Sequence, residues 1–172
     1  PIVGQTKNAI LLEAGTFARI PVDVVEWRVD WFEDVFDTDK VLDVAKDLQT
    51  VLKDTPILFT FRTAKEGGEK AISNEAYKAL NMAVAKSGYV DLIDVEAFTG
   101  EEIVKSMIQE AHSYGVKVIA SNHDFYKTPS KEDILQRLCK MQDMGADIPK
   151  IAVMPQSKKD VLTLLSATEE MT

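Results

Sequence analysis

The chain has little cysteine, little histidine and little arginine, and no long apolar run. Its single cysteine, Cys139, leaves no internal disulfide available and removes the stapled secreted scaffolds from consideration. No stretch of about 18 apolar residues occurs, so no membrane-spanning helix is expected. The first residues, P-I-V-G-Q-T-K, lack the basic start, apolar centre and small-residue cleavage site of a signal peptide. The cytoplasm is therefore the expected compartment. Positive charge is scarce: 20 Lys and Arg stand against 28 Asp and Glu, for a net charge of −8. With no basic stripe, a nucleic-acid or anionic-membrane surface is not expected. Two histidines and no cysteine cluster argue against a zinc site. Gly67-Gly68 is followed by no Gly-Lys-Ser/Thr, which excludes a P-loop. The pair is expected instead to give a loop freedom to close.

What remains is an ordinary globular composition, 45% hydrophobic and 28% charged, at a length that suits one well-buried domain over residues 1–172. After a short apolar piece at residues 2–4, helical spacing is predicted over 7–19, 40–53 and 73–87, with a fourth helix capped at Thr99 and running to about Tyr114, and further helices after Pro129 and after Ser157. Strands are predicted over 22–29, 56–62, 89–96, 116–120 and around Lys150. Thr99 with Glu102 fits a capping box, and Thr128-Pro129 an N-cap with a first-turn proline. Gly88, Gly115 and Gly145 each close a helix directly before a strand, 27 and then 30 residues apart. A repeated helix–Gly–strand unit without linkers or low-complexity segments indicates an α/β domain with a parallel sheet. Two architectures fit this pattern. An open doubly wound sheet suits the length; a (β/α)8 barrel suits the repeat but needs about 250 residues.

Either architecture places its active site at the carboxyl ends of the parallel strands. Those ends carry Glu26 and Arg28, then Arg62 with Glu66 in the following loop, then Asp94 and Glu96, then Ser121-Asn122-His123-Asp124, and last Lys150. Each has a plain alternative. Glu26 with Arg28 could be a surface ion pair, Arg62 a sheet-end cap, Asp94 and Glu96 structural partners, and His123 a turn residue; His112 is expected to be structural. Lys150 lies in D-I-P-K-I-A-V-M-P, whose Ile148, Ile151, Ala152, Val153 and Met154 read as a buried strand. A buried lysine loses stabilisation of its ammonium form and becomes a nucleophilic amine. On an edge strand the same lysine would merely block edge-to-edge pairing. Convergence on one edge favours chemistry: an imine at Lys150, proton transfer by His123, and an arginine holding a substrate carboxylate.

The runs E-W-R-V-D, F-T-F-R-T-A-K-E-G-G-E, V-D-L-I-D-V-E, S-N-H-D-F and D-I-P-K-I-A-V-M-P together resemble type I 3-dehydroquinate dehydratase, in family order and over essentially the whole chain. The resemblance implies a (β/α)8 TIM barrel, a homodimer and a shikimate-pathway hydro-lyase that needs no metal or cofactor. It implies that Lys150 forms an imine with the C3 ketone of 3-dehydroquinate. His123 would then serve as base at C2 and as acid toward the C1 hydroxyl, giving 3-dehydroshikimate by syn elimination. Glu66 matches the glutamate that orients the histidine, and Glu26, Arg28 and Arg62 match substrate-contacting positions.

Family members continue through two more βα units, which supply another substrate arginine, a closing loop and a serine–glutamine pair. This chain covers about six units, the first clipped, and is expected to be a portion of a longer protein. Two other functions share the same residues. A class I aldolase also uses a strand lysine imine but cleaves a C–C bond, and a non-catalytic binding module could keep the fold alone.

Overall fold

The computed structural model describes residues 1–171. Helix α1 (Lys7–Phe17) precedes strand β1 (Val25–Arg28), and the chain then alternates: α2 (Thr38–Leu52), β2 (Ile57–Thr60), α3 (Asn74–Ser87), β3 (Leu92–Glu96), α4 (Glu101–Ser113), β4 (Lys117–Asp124), α5 (Lys131–Asp143), β5 (Ile148–Val153) and α6 (Lys158–Glu170). Among the described residues the sheet has five strands in the order β1-β2-β3-β4-β5, every pairing parallel. The short apolar piece at the start adds a single parallel bridge, Ile2 to Trp27, with Ile2 N–H on Glu26 O at 2.7 Å and Arg28 N–H on Ile2 O at 3.0 Å.

This order decides between the two architectures. A doubly wound sheet reverses direction partway and is covered by helices on both faces. Here each strand is added beside its predecessor, as in a barrel. The two faces also differ in character. One parity of the register carries Trp27, Phe59, Ile93, Val95, Val118 and Ala120, which join the helices' Ile10, Val41, Leu48, Val84, Met107 and Ile134 in one core. The other parity carries Glu26, Arg28, Thr60, Asp94, Glu96, Ser121, His123 and Lys150. Partner residues in parallel strands share a face, so the polar set lies together on the side turned from the helix-packed core.

Local signals account for most element ends. Asp37, Ser73, Ser130 and Ser157 accept a backbone N–H at the starts of α2, α3, α5 and α6, and Ser157 with Asp160 completes a capping box. Two expected caps are displaced. Gly100 stands at the N-cap of α4, and the Thr99 hydroxyl instead donates to Glu96 O at 3.0 Å. Thr128 donates to Met154 O at 3.1 Å, leaving the α5 cap to Ser130. Gly88, Gly115 and Gly145 do turn left-handed after their helices, with φ of 73°, 77° and 95°.

Among the described residues strand β5 pairs only with β4, Ile148 is exposed, and 149–153 are half-buried. Its apolar run reads as a buried strand or as an edge strand; among the described residues it stands at the sheet edge. Also among the described residues, no helix is long and apolar enough to cross a membrane.

His112, expected to be structural, places Nε2 2.7 Å from Asp147 Oδ2, which also accepts the Val118 N–H at 2.8 Å. Lys117 Nζ lies 3.5 Å from Oδ1. Burial pushes the Asp147 carboxyl up, but the Val118 N–H, His112 and Lys117 outweigh it and hold the carboxyl below its ordinary value. A depressed native value means the unfolded chain takes up the proton first as pH falls. The stabilisation is therefore complete above the unfolded aspartate value of about 3.9, and it is lost as pH drops through the native value. Asp147→Asn is expected to cost on the order of 1 kcal/mol at pH 7. The gap from the parent should narrow in urea unfolding as pH falls below about 3.9; a gap that stays constant with pH would refute this account.

Candidate active site

Arg62 lies at the centre of the polar face and is 3% exposed. Its Nη2 is 2.9 Å from Asp94 Oδ1, and its Nη1 is 3.1 Å from both Glu96 Oε1 and Ser121 Oγ. Glu66 Oε2 is 3.7 Å from the same Nη1. Burial alone would lower the pKa of this guanidinium; the Asp94 and Glu96 charges overcome burial and raise it. Burial pushes Glu96 up, assisted by the Glu66 charge, against the Thr63 hydrogen bonds and Arg62 that favour its ionised form. Thr63 gives Glu96 both its N–H and its hydroxyl, each at 2.8 Å. Arg62 is thus a clamped cation and not the free sheet-end cap considered from sequence.

Glu66 closes a short 3₁₀ turn, Ala64–Glu66, and reaches across to β4. Its Oε2 accepts the His123 N–H at 3.0 Å and lies 2.9 Å from His123 Nδ1, while Oε1 accepts from Asn122 Nδ2 at 3.3 Å. An ionised carboxylate only accepts, so Nδ1 carries the hydrogen and a neutral ring keeps the Nε2 lone pair free. Arg137 on α5 donates to Asn122 Oδ1 at 2.9 Å, which turns the Asn122 amide so that its NH₂ faces Glu66. His123 is further held by a stacked contact with Phe125, ring centroids 6.3 Å apart.

The Gly67-Gly68 pair serves close packing and not the expected freedom of closure. Gly67 has φ of 82°, and a Cβ there would lie 2.4 Å from the Phe125 ring. A Cβ on Gly68 would lie 1.8 Å from Arg62 O. These glycines allow the Glu66 turn to lie directly on both the Arg62 backbone and the His123 loop.

Lys150 pairs in register with Ser121, which in turn pairs with Glu96. His123 is thus its diagonal neighbour on the same face, one same-face step toward the carboxyl end. Lys150 is 37% exposed in its side chain, between the buried amine and the edge-strand lysine weighed from sequence; its Nζ lies 3.7 Å from Asp94 Oδ2. The Glu26–Arg28 ion pair considered as a plain alternative is not formed. Arg28 binds Asp30 through two 2.8 Å hydrogen bonds, and this bonding raises its pKa first of all, against burial. Asp30 is fully buried and also accepts the Arg62 and Glu69 N–H groups. Glu26 stands half-buried beside Arg28 on the same face.

Of the six expected site residues, Arg62, Glu66 and His123 are joined by direct contacts, Lys150 reaches Asp94 beside Arg62, Arg28 is linked to the Arg62 backbone through Asp30, and Glu26 shares their face. The residues that sequence reasoning passed over are Asp30 and Arg137; Asn122 and Asp94 were placed at the strand ends, but without their contacts to Glu66 and Lys150. A usable signal existed for Asp94: two acids two residues apart on an otherwise apolar strand share one face and cannot be buried there without cationic partners.

Comparison with known proteins agrees with this geometry. The family model for type I 3-dehydroquinase matches residues 1–172. The chain is 56% identical over 168 residues to 3-dehydroquinate dehydratase of Listeria monocytogenes (serotype 4a, strain HCC23), covering 98% of this chain and 67% of that protein. It is 53% identical over 171 residues to 3-dehydroquinate dehydratase of Clostridioides difficile (strain 630), covering 99% and 67%. A crystal structure of the type I enzyme from Clostridium difficile with covalently modified comenic acid superposes at a TM-score of 0.98, at 53% identity, over 99% of this chain and 68% of that one. The chain thus spans about two thirds of the length of these relatives. A sheet that adds its strands in sequence, with a lysine and a carboxylate-held histidine on its polar face, is in sequence and in shape the portion of the barrel these proteins share: the chain belongs to the type I 3-dehydroquinase family.

Proposed function

We propose that the polar face of this chain carries out the dehydration of 3-dehydroquinate to 3-dehydroshikimate, the hydro-lyase step of the shikimate pathway, through a Schiff base on Lys150. The observation that carries this reading is the Glu66–His123 contact at 2.9 Å, one same-face step from Lys150. Lys150 adds to the C3 ketone; water leaves and a C=N bond forms with its proton retained on nitrogen. The iminium is a better electron sink than the ketone, so the C2 proton is lost at lower cost. His123 Nε2 takes that proton as general base, its ring fixed by Glu66. The enamine then returns its electrons as the C1 hydroxyl departs with the proton from His123, and hydrolysis of the imine frees the amine. Glu26, Arg28 and Arg62 are assigned to the substrate's oxygen substituents. The bidentate hold of Asp30 on Arg28 and the acidic cluster around Arg62 present both guanidinium groups in fixed orientation.

The same reading takes residues 1–172 as part of one barrel domain, the protein as a homodimer in the cytoplasm, and the reaction as needing no cofactor. Its test is covalent trapping: incubation of the protein with 3-dehydroquinate, reduction with borohydride, and peptide mapping by mass spectrometry. The expected result is an adduct on the peptide holding Lys150, with all substrate carbons retained in the product. Splitting of the carbon chain would favour an aldolase, and failure to trap an adduct both in this chain and in one extended by the two further βα units would refute the Schiff base.

A further inference from the structure

We infer that Asp94 is a positioning residue for Lys150, acting as the fixed counter-ion that the nitrogen faces both as a resting ammonium and as the iminium; this rests on the Schiff-base reading above.

Asp94 is fully buried on β3, and its two oxygens have different surroundings. Oδ1 accepts the Ser121 hydroxyl at 2.6 Å and meets Arg62 Nη2 at 2.9 Å. Oδ2 is enclosed and among the described residues has no hydrogen-bond partner, yet it lies 3.7 Å from Lys150 Nζ. A buried carboxylate oxygen left without a donor is unfavourable, and the group that can supply one is the lysine across the sheet. The Oδ1 contacts fix the carboxylate plane from the other side, so Oδ2 cannot swing away from Lys150.

The chemistry makes this arrangement useful. When an ammonium and a ketone condense, the nitrogen loses two hydrogens with the departing oxygen as water and keeps one, together with its positive charge. The counter-ion therefore need not move between the two states. In the iminium the single remaining N–H is coplanar with the C=N bond. A carboxylate fixed on one side selects the rotamer that directs this N–H at Oδ2, and so orients the plane whose neighbouring C2–H must meet His123.

Asp94→Asn is the informative variant, because its amide oxygen can replace Oδ1 toward Ser121 and Arg62 while an NH₂ replaces Oδ2. The protein should then show kcat reduced about 10- to 100-fold, the usual scale for a partner that orients a reacting group. KM should change by less than about threefold, and borohydride trapping of Lys150 should slow in proportion to kcat. If Asp94 only anchors Arg62, KM rises while the trapping rate stays at the parent value, and the inference is overturned. It is equally overturned if neither changes. Should the variant not fold, the parent protein decides: in a crystal structure of the reduced adduct, the secondary amine should lie within hydrogen-bond distance of Asp94 Oδ2. An amine turned away from it refutes the assignment. Failure of both the parent and the chain extended by the two further βα units to form any adduct is a different result, and it removes the Schiff-base reading itself.

Discussion

Replacing Lys150 with alanine is expected to abolish borohydride trapping and to lower kcat by on the order of 10⁴-fold or more, the scale seen when a covalent nucleophile that works as part of a unit is removed. Binding should suffer far less. Arg28 is held by Asp30 and Arg62 by Asp94, Glu96 and Ser121, so the groups assigned to the substrate's oxygens remain in place. The Glu66–His123 pair also stays, since none of its contacts passes through the lysine. The ligand-induced rise in melting temperature separates enzyme from binding module. Non-covalent affinity stabilises the native state by mass action, and a pure binder would keep its full shift in Lys150→Ala. For the mechanism above, the covalent part of the shift disappears and a smaller rise remains. A full shift with unchanged turnover would remove Lys150 from the chemistry.

The contrast between what the chain's pattern discloses and what it conceals has a simple physical basis. Alternation along one strand is a local property. That Glu26 shares a face with Arg28, and Asp94 with Glu96, follows from the two-residue period alone. The placement of active residues at strand ends follows equally from the parallel α/β pattern. The choice between barrel and doubly wound sheet did not follow, because both use the same local units and differ only in which strands become neighbours. The Asp94–Lys150 contact is hidden for the same reason. It depends on two successive registers, Glu96 with Ser121 and Ser121 with Lys150, which join residues far apart in the chain. Whether Lys150 is buried or stands at an edge did not follow either, because an apolar run does not report which strands flank it. The displaced helix caps reflect competition among neighbours. Thr99 and Thr128 have cap chemistry, but each found a carbonyl to donate to, while Gly100 and Ser130 stood where the helix turned.

Replacing His123 with alanine is expected to reduce kcat by about 10²- to 10⁴-fold, the range for a general acid–base catalyst, while leaving Lys150 able to form its imine. The two effects should move in opposite directions: product appears slowly, and the fraction of protein trapped as the reduced adduct rises, because the intermediate forms but has no base at C2. This pattern distinguishes His123 from Lys150, whose loss removes the adduct and the product together. The structure supports such a separation, since the Lys150 Nζ faces Asp94 while the His123 ring is held by Glu66 and Phe125. Glu66→Gln should act in the same direction but more weakly. An amide can still bond to Nδ1, either through its oxygen or by turning its NH₂ toward the ring, and in the second case the hydrogen moves to Nε2 and the base is lost. The Glu66 variant should therefore retain trapping and slow elimination by less than His123→Ala does. If His123→Ala instead abolished trapping, the histidine would be required for imine formation itself, and the division of labour between the two strands would have to be redrawn.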